Sequence, residues 1–254
     1  MTKLEVLKQY FGHSAFRDGQ EQVIDAILGG RDVLCVMPTG AGKSLCYQVP
    51  ALMSPGVTLV ISPLISLMKD QVESLTQSGV PAAFVNSTLT AAQYGQVLWG
   101  IRNGVYKLIY VAPERLTAPD FLDVCQTLEI SNLIVDEAHC VSQWGQNFRP
   151  SYLKIAEFAK GLPRRPTVGA FTATATGRVK ADMEALLELH NPLCITTGFD
   201  RPNLYFGVEK PKSKQERLLE LIRSHAGRSG IIYAATRKNV EELCEVLRQN
   251  GISA

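Results

Sequence analysis

The segment VLCVMPTGAGKSLCYQVP, residues 33–50, constrains the fold more than any other stretch of the chain. An apolar, β-branched run leads into Pro38, Thr39, Gly40, Ala41, Gly42, Lys43 and Ser44, and a helical pattern follows. Glycine puts no Cβ between backbone and anion, so successive N–H groups can curl around a phosphate. The helix start behind them adds partial positive charge. In such a strand–loop–helix setting Lys43 is placed for the β- and γ-phosphates of a nucleotide, and the Ser44 hydroxyl for Mg²⁺. The strict pattern has glycine where Met37 stands, so this loop is a variant of it.

The rest of the chain repeats the same rhythm. DVLCVM, VTLVISP, AAFVNS, YKLIYVAP, NLIVDEAH and TVGAFTATAT read as short strands. Between them, LISLMKDQVESLTQSG, TAAQYGQVLWGIRNG and GRVKADMEALLELH read as helices. Strands alternating with helices predict βαβ units and an α/β fold with a parallel sheet. Strands that are apolar throughout predict helices on both sheet faces. The link GFDRPN, residues 198–203, then interrupts the pattern. Beyond it, LYFGVEK and GIIYAAT read as strands, and KQERLLELIRSH and RKNVEELCEVLRQNG as helices. Residues 1–200 therefore read as one domain and 201–254 as the beginning of a second, too small for an α/β core of its own.

Composition sets loose bounds. The chain has 254 residues and a net charge of +2, so any nucleic-acid surface must be a local patch. Cys35, Cys46, Cys125, Cys140, Cys194 and Cys244 form no C-x-x-C pair, and reduced thiols in a reducing compartment are expected. The four histidines are far apart, without zinc-ligand spacing. No apolar run approaches membrane-spanning length, so no membrane partner is expected.

A phosphate loop needs a second carboxylate on the metal side, and NLIVDEAH supplies one. Asp136 ends an apolar strand, where it can hold Mg²⁺ through water. Glu137 follows, and side-chain alternation along a strand would point it the other way. It is placed to orient or deprotonate an attacking water, which favours nucleotide hydrolysis over transfer to another acceptor.

Taken together, FRDGQ, MPTGAGKS, SPLISLMKDQV, APERL, DEAHCVSQWG, FTATAT and FDRPN resemble the RecQ family of superfamily 2 DNA helicases, in order and across nearly the whole chain. The resemblance implies a RecA-like, P-loop NTPase first domain, the start of a second RecA-like domain, and ATP with Mg²⁺ as cofactors. It implies translocation from 3′ to 5′ along single-stranded DNA in repair and recombination, with single strands and duplex junctions as partners. A cytoplasmic, nucleoid-associated location is expected, or a nuclear one in a eukaryote. His13, Arg17 and Gln20 fall in the adenine-recognition motif, where the Gln20 amide can donate and accept. The loop after the acids resembles a DNA sensor coupled to hydrolysis. Trp144 and Phe148 are its stacking candidates. Core packing is the alternative for both rings, and the surrounding Gly, Asn, Pro and Ser favour a loop. Arg149 could meet a backbone phosphate or return to the ATP side, and Gln143 could link the loop to the γ-phosphate. Thr172 and Thr174 of FTATAT resemble the motif that joins hydrolysis to strand movement, with ordinary β-branched strand residues as the alternative for each, and His139 would hydrogen-bond between the acids and that motif. Ser62, Leu64, Lys69, Asn86, Ser87 and Arg115 fall in the DNA-tracking motifs, which grip backbone without reading sequence.

Departures from the family pattern are few. His13 stands where an aromatic ring is usual and Asp18 where proline is usual. Gln146 and Asn147 replace the usual His-Asp pair, which is expected to weaken DNA stimulation of hydrolysis. The family's arginine finger and later modules would lie beyond residue 254, with Tyr233 and Arg237 in the opening of the second domain. The chain alone is thus expected to bind ATP weakly, hydrolyse it slowly and unwind nothing. An RNA helicase of the same superfamily and a nucleotide-binding regulatory module are the alternatives.

Overall fold

The computed structural model describes residues 1–145, 147–198 and 203–254. Gln146 and residues 199–202 of the proline-bearing link lie outside the described residues. Two units are present, Met1–Asp200 and Arg201–Ala254.

The first unit runs α1 (Lys3–Phe11), α2 (Gln20–Leu28), β1 (Val33–Val36), α3 (Lys43–Met53), β2 (Val57–Ile61), α4 (Ile65–Gln77), β3 (Ala82–Val85), α5 (Ala91–Arg102) and β4 (Leu108–Val111). It continues with α6 (Pro119–Cys125), β5 (Ile130–Val135), α7 (Ile155–Gly161), β6 (Thr167–Thr172), α8 (Gly177–Leu186) and β7 (Leu193–Thr196). The seven strands form one sheet in the order β3-β4-β2-β5-β6-β1-β7, with every pairing parallel. Successive residues of a strand feed opposite cores. Leu34 and Val36 join one apolar cluster, with Leu133, Val135 and Phe158. Val33 and Cys35 join the other, with Tyr47, Met68 and Phe171. Because both faces are covered, the central strands are apolar at almost every position. No helix among the described residues is long and apolar enough to cross a membrane.

One ionic site fixes the end of the sheet away from the phosphate loop. Asp32 is 2 % exposed and precedes β1. Its carboxylate accepts from Arg165 Nη2 at 2.6 Å, from the Val168 N–H at 2.9 Å and from the His190 N–H at 2.7 Å. A buried charge survives where its lone pairs are filled in this way. Here the filling ties together the starts of β1 and β6 and the turn before β7.

The second unit carries α9 (Lys214–Ser224) and α10 (Arg237–Gln249), capped at their N-termini by Ser213 and Thr236. The strands expected over 204–210 and 230–236 are not formed. A strand is held by its neighbour's hydrogen bonds, and no described strand pairs with either run. Tyr205, Val208 and Tyr233 are 93, 92 and 90 % exposed, as expected of apolar runs without a sheet to join.

The Asp32→Ala variant should lose about 3 kcal/mol of stability, because it leaves a guanidinium and two N–H donors unmatched. In urea the unfolding midpoint should fall with an unchanged slope. A shift equivalent to under about 0.5 kcal/mol would contradict the assignment.

Candidate functional site

The parallel sheet brings every strand's C-terminal end to one rim. The phosphate loop leaves β1 there, the acids leave β5, and β6 lies between them in the sheet. A cleft of about 380 Å³ opens on this rim, within the range of small-ligand sites. His13, Arg17, Gln20, Thr39, Gly40, Gly42, Lys43, Ser44, Asp136 and Glu137 all line it. The two places read separately from the sequence thus face one space. Ala41 belongs to the same loop but does not line the cleft; its carbonyl accepts from Gln20 Nε2.

The loop is gripped from the N-terminal segment. Gln20 is 1 % exposed and donates through Nε2 to the Ala41 and Gly42 carbonyls at 3.0 and 3.1 Å, while its Oε1 accepts from the Arg17 N–H at 2.8 Å. Arg17 Nη1 donates to the Gly40 carbonyl. In this arrangement both amide protons of Gln20 serve the loop. The residue expected at adenine therefore also fixes the phosphate cradle. Gly42 has φ 82°, and a Cβ there would run into Gln20 Nε2. It is also the N-cap of α3, with no side-chain acceptor for the first helical N–H groups, an arrangement that suits an anion. Lys43 Nζ donates to the Met37 carbonyl at 3.0 Å, so the residue that departs from the strict loop pattern holds the lysine through its backbone.

Asp136 and Glu137 lie just past β5, not in it. Glu137 adopts a left-handed conformation, φ 48° and ψ 43°, and caps a short 3₁₀ turn. Strand alternation therefore does not separate the two carboxylates; the turn keeps both on the cleft wall. Asp136 is fixed by its N–H to the Ile61 carbonyl at 2.8 Å and by Tyr152 Oη donating to its own carbonyl at 2.9 Å. Burial raises the Asp136 carboxyl from 3.8 to about 6, and the neighbouring Glu137 charge adds to the rise.

The acids connect to the end of β6. His139 Nδ1 lies 2.8 Å from Thr172 Oγ1 and 3.3 Å from Glu137 Oε2. With the proton on Nδ1, Thr172 accepts from His139 and donates to the Thr174 carbonyl at 3.2 Å. This is the bridge expected of His139.

The other expected contacts divide. Leu64, Lys69 and Ser87 are exposed, as are Gln143 and Trp144, the last at 62 %. Gln143 does not line the cleft. Ser62 and Asn86 are 1 and 0 % exposed, so their side chains are not surface contacts in this structure. They follow β2 and β3 directly, where the sheet covers them. Arg115 is half-buried: its Nη2 donates to the Asn86 carbonyl at 3.1 Å and its guanidinium lies over Tyr94. Phe148 is half-buried, and Arg149 Nη1 donates to the Pro63 carbonyl at 3.1 Å, tying the aromatic loop to the segment after β2. Asn147 is exposed, while its partner Gln146 lies outside the described residues. A Cβ at Gly145 would strike the His139 carbonyl, so only glycine lets the loop pass there.

Sequence reasoning missed Tyr47, Leu67 and Gln71 on the cleft wall, because each reads as an ordinary helical position. It also gave no role to Tyr152 or to Arg178, whose guanidinium stacks on Trp144.

A carboxyl raised from 3.8 to about 6 makes the folded chain bind more protons than the unfolded chain between those values. Stability should then fall as pH rises through that window. In a chelator, Asp136→Asn should be more stable than the parent by about 1–2 kcal/mol near pH 7, with the gap closing towards about pH 4. Thermal melts across the window measure it, and a gap independent of pH would contradict the burial argument.

The DEAD/DEAH box helicase family matches residues 17–183. The ATP-dependent DNA helicase RecQ of Bacillus subtilis is 44 % identical over 250 residues, covering 98 % of this chain and 42 % of that protein. RecQ of Haemophilus influenzae is 45 % identical over 253 residues, covering 100 % of this chain and 41 % of that protein. The chain thus spans about two-fifths of the length of these curated relatives. Among solved structures, the DUF1998 helicase MrfA superposes with a TM-score of 0.74 at 16 % identity, over 98 % of this chain and 40 % of that one, a likeness of fold. The parallel sheet with helices on both faces is the RecA-like helicase architecture, and the chain belongs to the DEAD/DEAH box helicase family, with RecQ helicases as the relatives it resembles along its whole length.

Proposed function

We propose that the chain is the ATP-binding motor portion of a RecQ-type DNA helicase, which couples ATP hydrolysis to 3′-to-5′ movement along single-stranded DNA. The observation that carries this reading is the shared cleft. The phosphate loop, the adenine-motif residues and both acids open on one space, and the loop bearing Trp144 follows directly on the acids in the chain. The RecQ relatives support DNA as the polymer.

In this reading Gly40, Gly42 and the first N–H groups of α3 cradle the phosphates, and Lys43 exchanges the Met37 carbonyl for phosphate oxygens. His13 and Arg17 flank the base side. Ser44 Oγ and the Asp136 carboxylate fit a magnesium ion: both are hard oxygen donors lining one cleft, and Asp136 is a carboxylate whose burial disfavours its charge until a cation faces it. Magnesium, when bound, offsets phosphate charge. Glu137 Oε2 orients a water and takes its proton, with His139 Nδ1 3.3 Å from that carboxylate. Trp144 and Phe148 receive bases, and Leu64, Lys69 and Ser87 lie along the backbone path. Movement of the strand reaches the acids through the loop itself and through His139 and Thr172. Roles in repair and recombination, at junctions and in the cytoplasm or nucleus, follow from the same reading.

Glu137→Gln should bind a fluorescent ATP analogue about as well as the parent, while steady-state phosphate release falls at least about 100-fold. Unchanged turnover would remove Glu137 as the base.

A further inference from the structure

Arg178 lies in the first turn of α8, where the helix dipole favours an acid and the chain supplies none. A cation placed against the dipole needs another reason for its position. Its guanidinium carbon lies 3.6 Å from the centre of the Trp144 ring, which is direct stacking. Trp144 is nevertheless 62 % exposed, so one ring face is covered and the other is open. One helical turn along α8, Asp182 accepts a short hydrogen bond from Ser142 Oγ at 2.5 Å, and Ser142 Oγ accepts from the Trp144 N–H at 3.1 Å. Two points of α8, spaced four residues apart, thus clamp two points of the aromatic loop.

We propose that Arg178 is a positioning residue for single-stranded nucleic acid: stacked behind Trp144, it holds the ring so that its open face receives a nucleobase. The inference rests on the reading of the aromatic loop as the strand contact. An exposed ring on a loop with glycine at 145 would otherwise have to be ordered by the incoming base, which weakens binding; the stacked guanidinium has already ordered it. The occupant is a base of any sequence, since every base offers a π-face. The charge of Arg178 faces the ring and not the strand, so it does not count among the phosphate contacts. The clamp also joins the loop to the helix that follows Thr172 and Thr174, giving a bound base a second route to the end of β6.

The test uses the whole chain carrying Trp99→Phe, which leaves Trp144 as the only tryptophan of the two in the sequence. Oligothymidylate is titrated while Trp144 fluorescence and anisotropy are read. The parent should be quenched on binding. Arg178→Ala, at an exposed position, should fold normally. It should show lower Trp144 anisotropy before any oligonucleotide is added, and bind about fivefold more weakly. Its slope of log affinity against log salt should be unchanged, and Arg178→Lys should recover part of the affinity. Parental or tighter affinity in Arg178→Ala would overturn the proposal, the latter because Arg178 would then compete with the base. A salt slope reduced by about one would overturn it too, making Arg178 a phosphate ligand. Trp144→Ala separates the two levels. If it loses binding while Arg178→Ala does not, only the positioning role fails. If the parent shows no quenching and Trp144→Ala binds equally well, the strand-contact reading fails and takes this inference with it.

Discussion

A carboxylate drawn out of water beside a second carboxylate is the constraint on which the site depends. Asp136 is half-buried, Glu137 follows it in a left-handed turn, and the cost appears as a carboxyl raised to about 6. Like charges this close are tolerated only where the backbone over-determines them. Here Ile61 and Tyr152 hold the Asp136 backbone and His139 faces Glu137. The compensating positive charge lining the cleft is Lys43, together with the start of α3, which has no side-chain cap. In the proposed reading, a bound phosphate–cation pair would match both sides of the cleft.

The sheet topology then decides what can be coupled to that cleft. β5 and β6 are neighbours, and their following segments are joined three times: His139 to Thr172, Ser142 to Asp182, and Trp144 to Arg178. Arg149 adds a fourth tie, to the segment after β2. Of these ties, His139 is the one that also meets a cleft acid, 3.3 Å from Glu137. Under the proposed function, these contiguous contacts are the route by which a bound strand would reach the nucleotide, and mutational coupling is what tests it.

Much of this is legible in the residues. The phosphate loop and the DEAH segment stand out because their chemistry needs fixed residue types at fixed spacing, and the strands because burial on both faces leaves no room for polar residues. The expected bridge through His139 is present. What fails does so for local reasons. Strand alternation would turn Glu137 away from Asp136, but β5 ends at Val135 and a left-handed residue sets its direction. Ser62 and Asn86 fall in stretches that resemble contact motifs, yet both are buried directly after β2 and β3, because a resemblance does not report which way a strand-end side chain points. The short edge strand β7 lies between proline and glycine and is half-exposed, so it carries little apolar signal. The runs at 204–210 and 230–236 have strand composition but no partner strand among the described residues, and composition cannot supply one. Arg178 gives no signal, since nothing in a helical first turn marks a cation that will stack on a ring from a distant loop.

The most direct measurement is a double-mutant cycle on binding of a magnesium-complexed, fluorescent ATP analogue, with Lys43→Met and Asp136→Asn alone and combined. If both sides of the cleft hold one triphosphate and its metal, each change should weaken binding at least about tenfold and the pair should couple by about 1 kcal/mol or more. Losses that add to within about 0.3–0.5 kcal/mol would mean the two residues act on separate ligands, and the shared-cleft account would not stand.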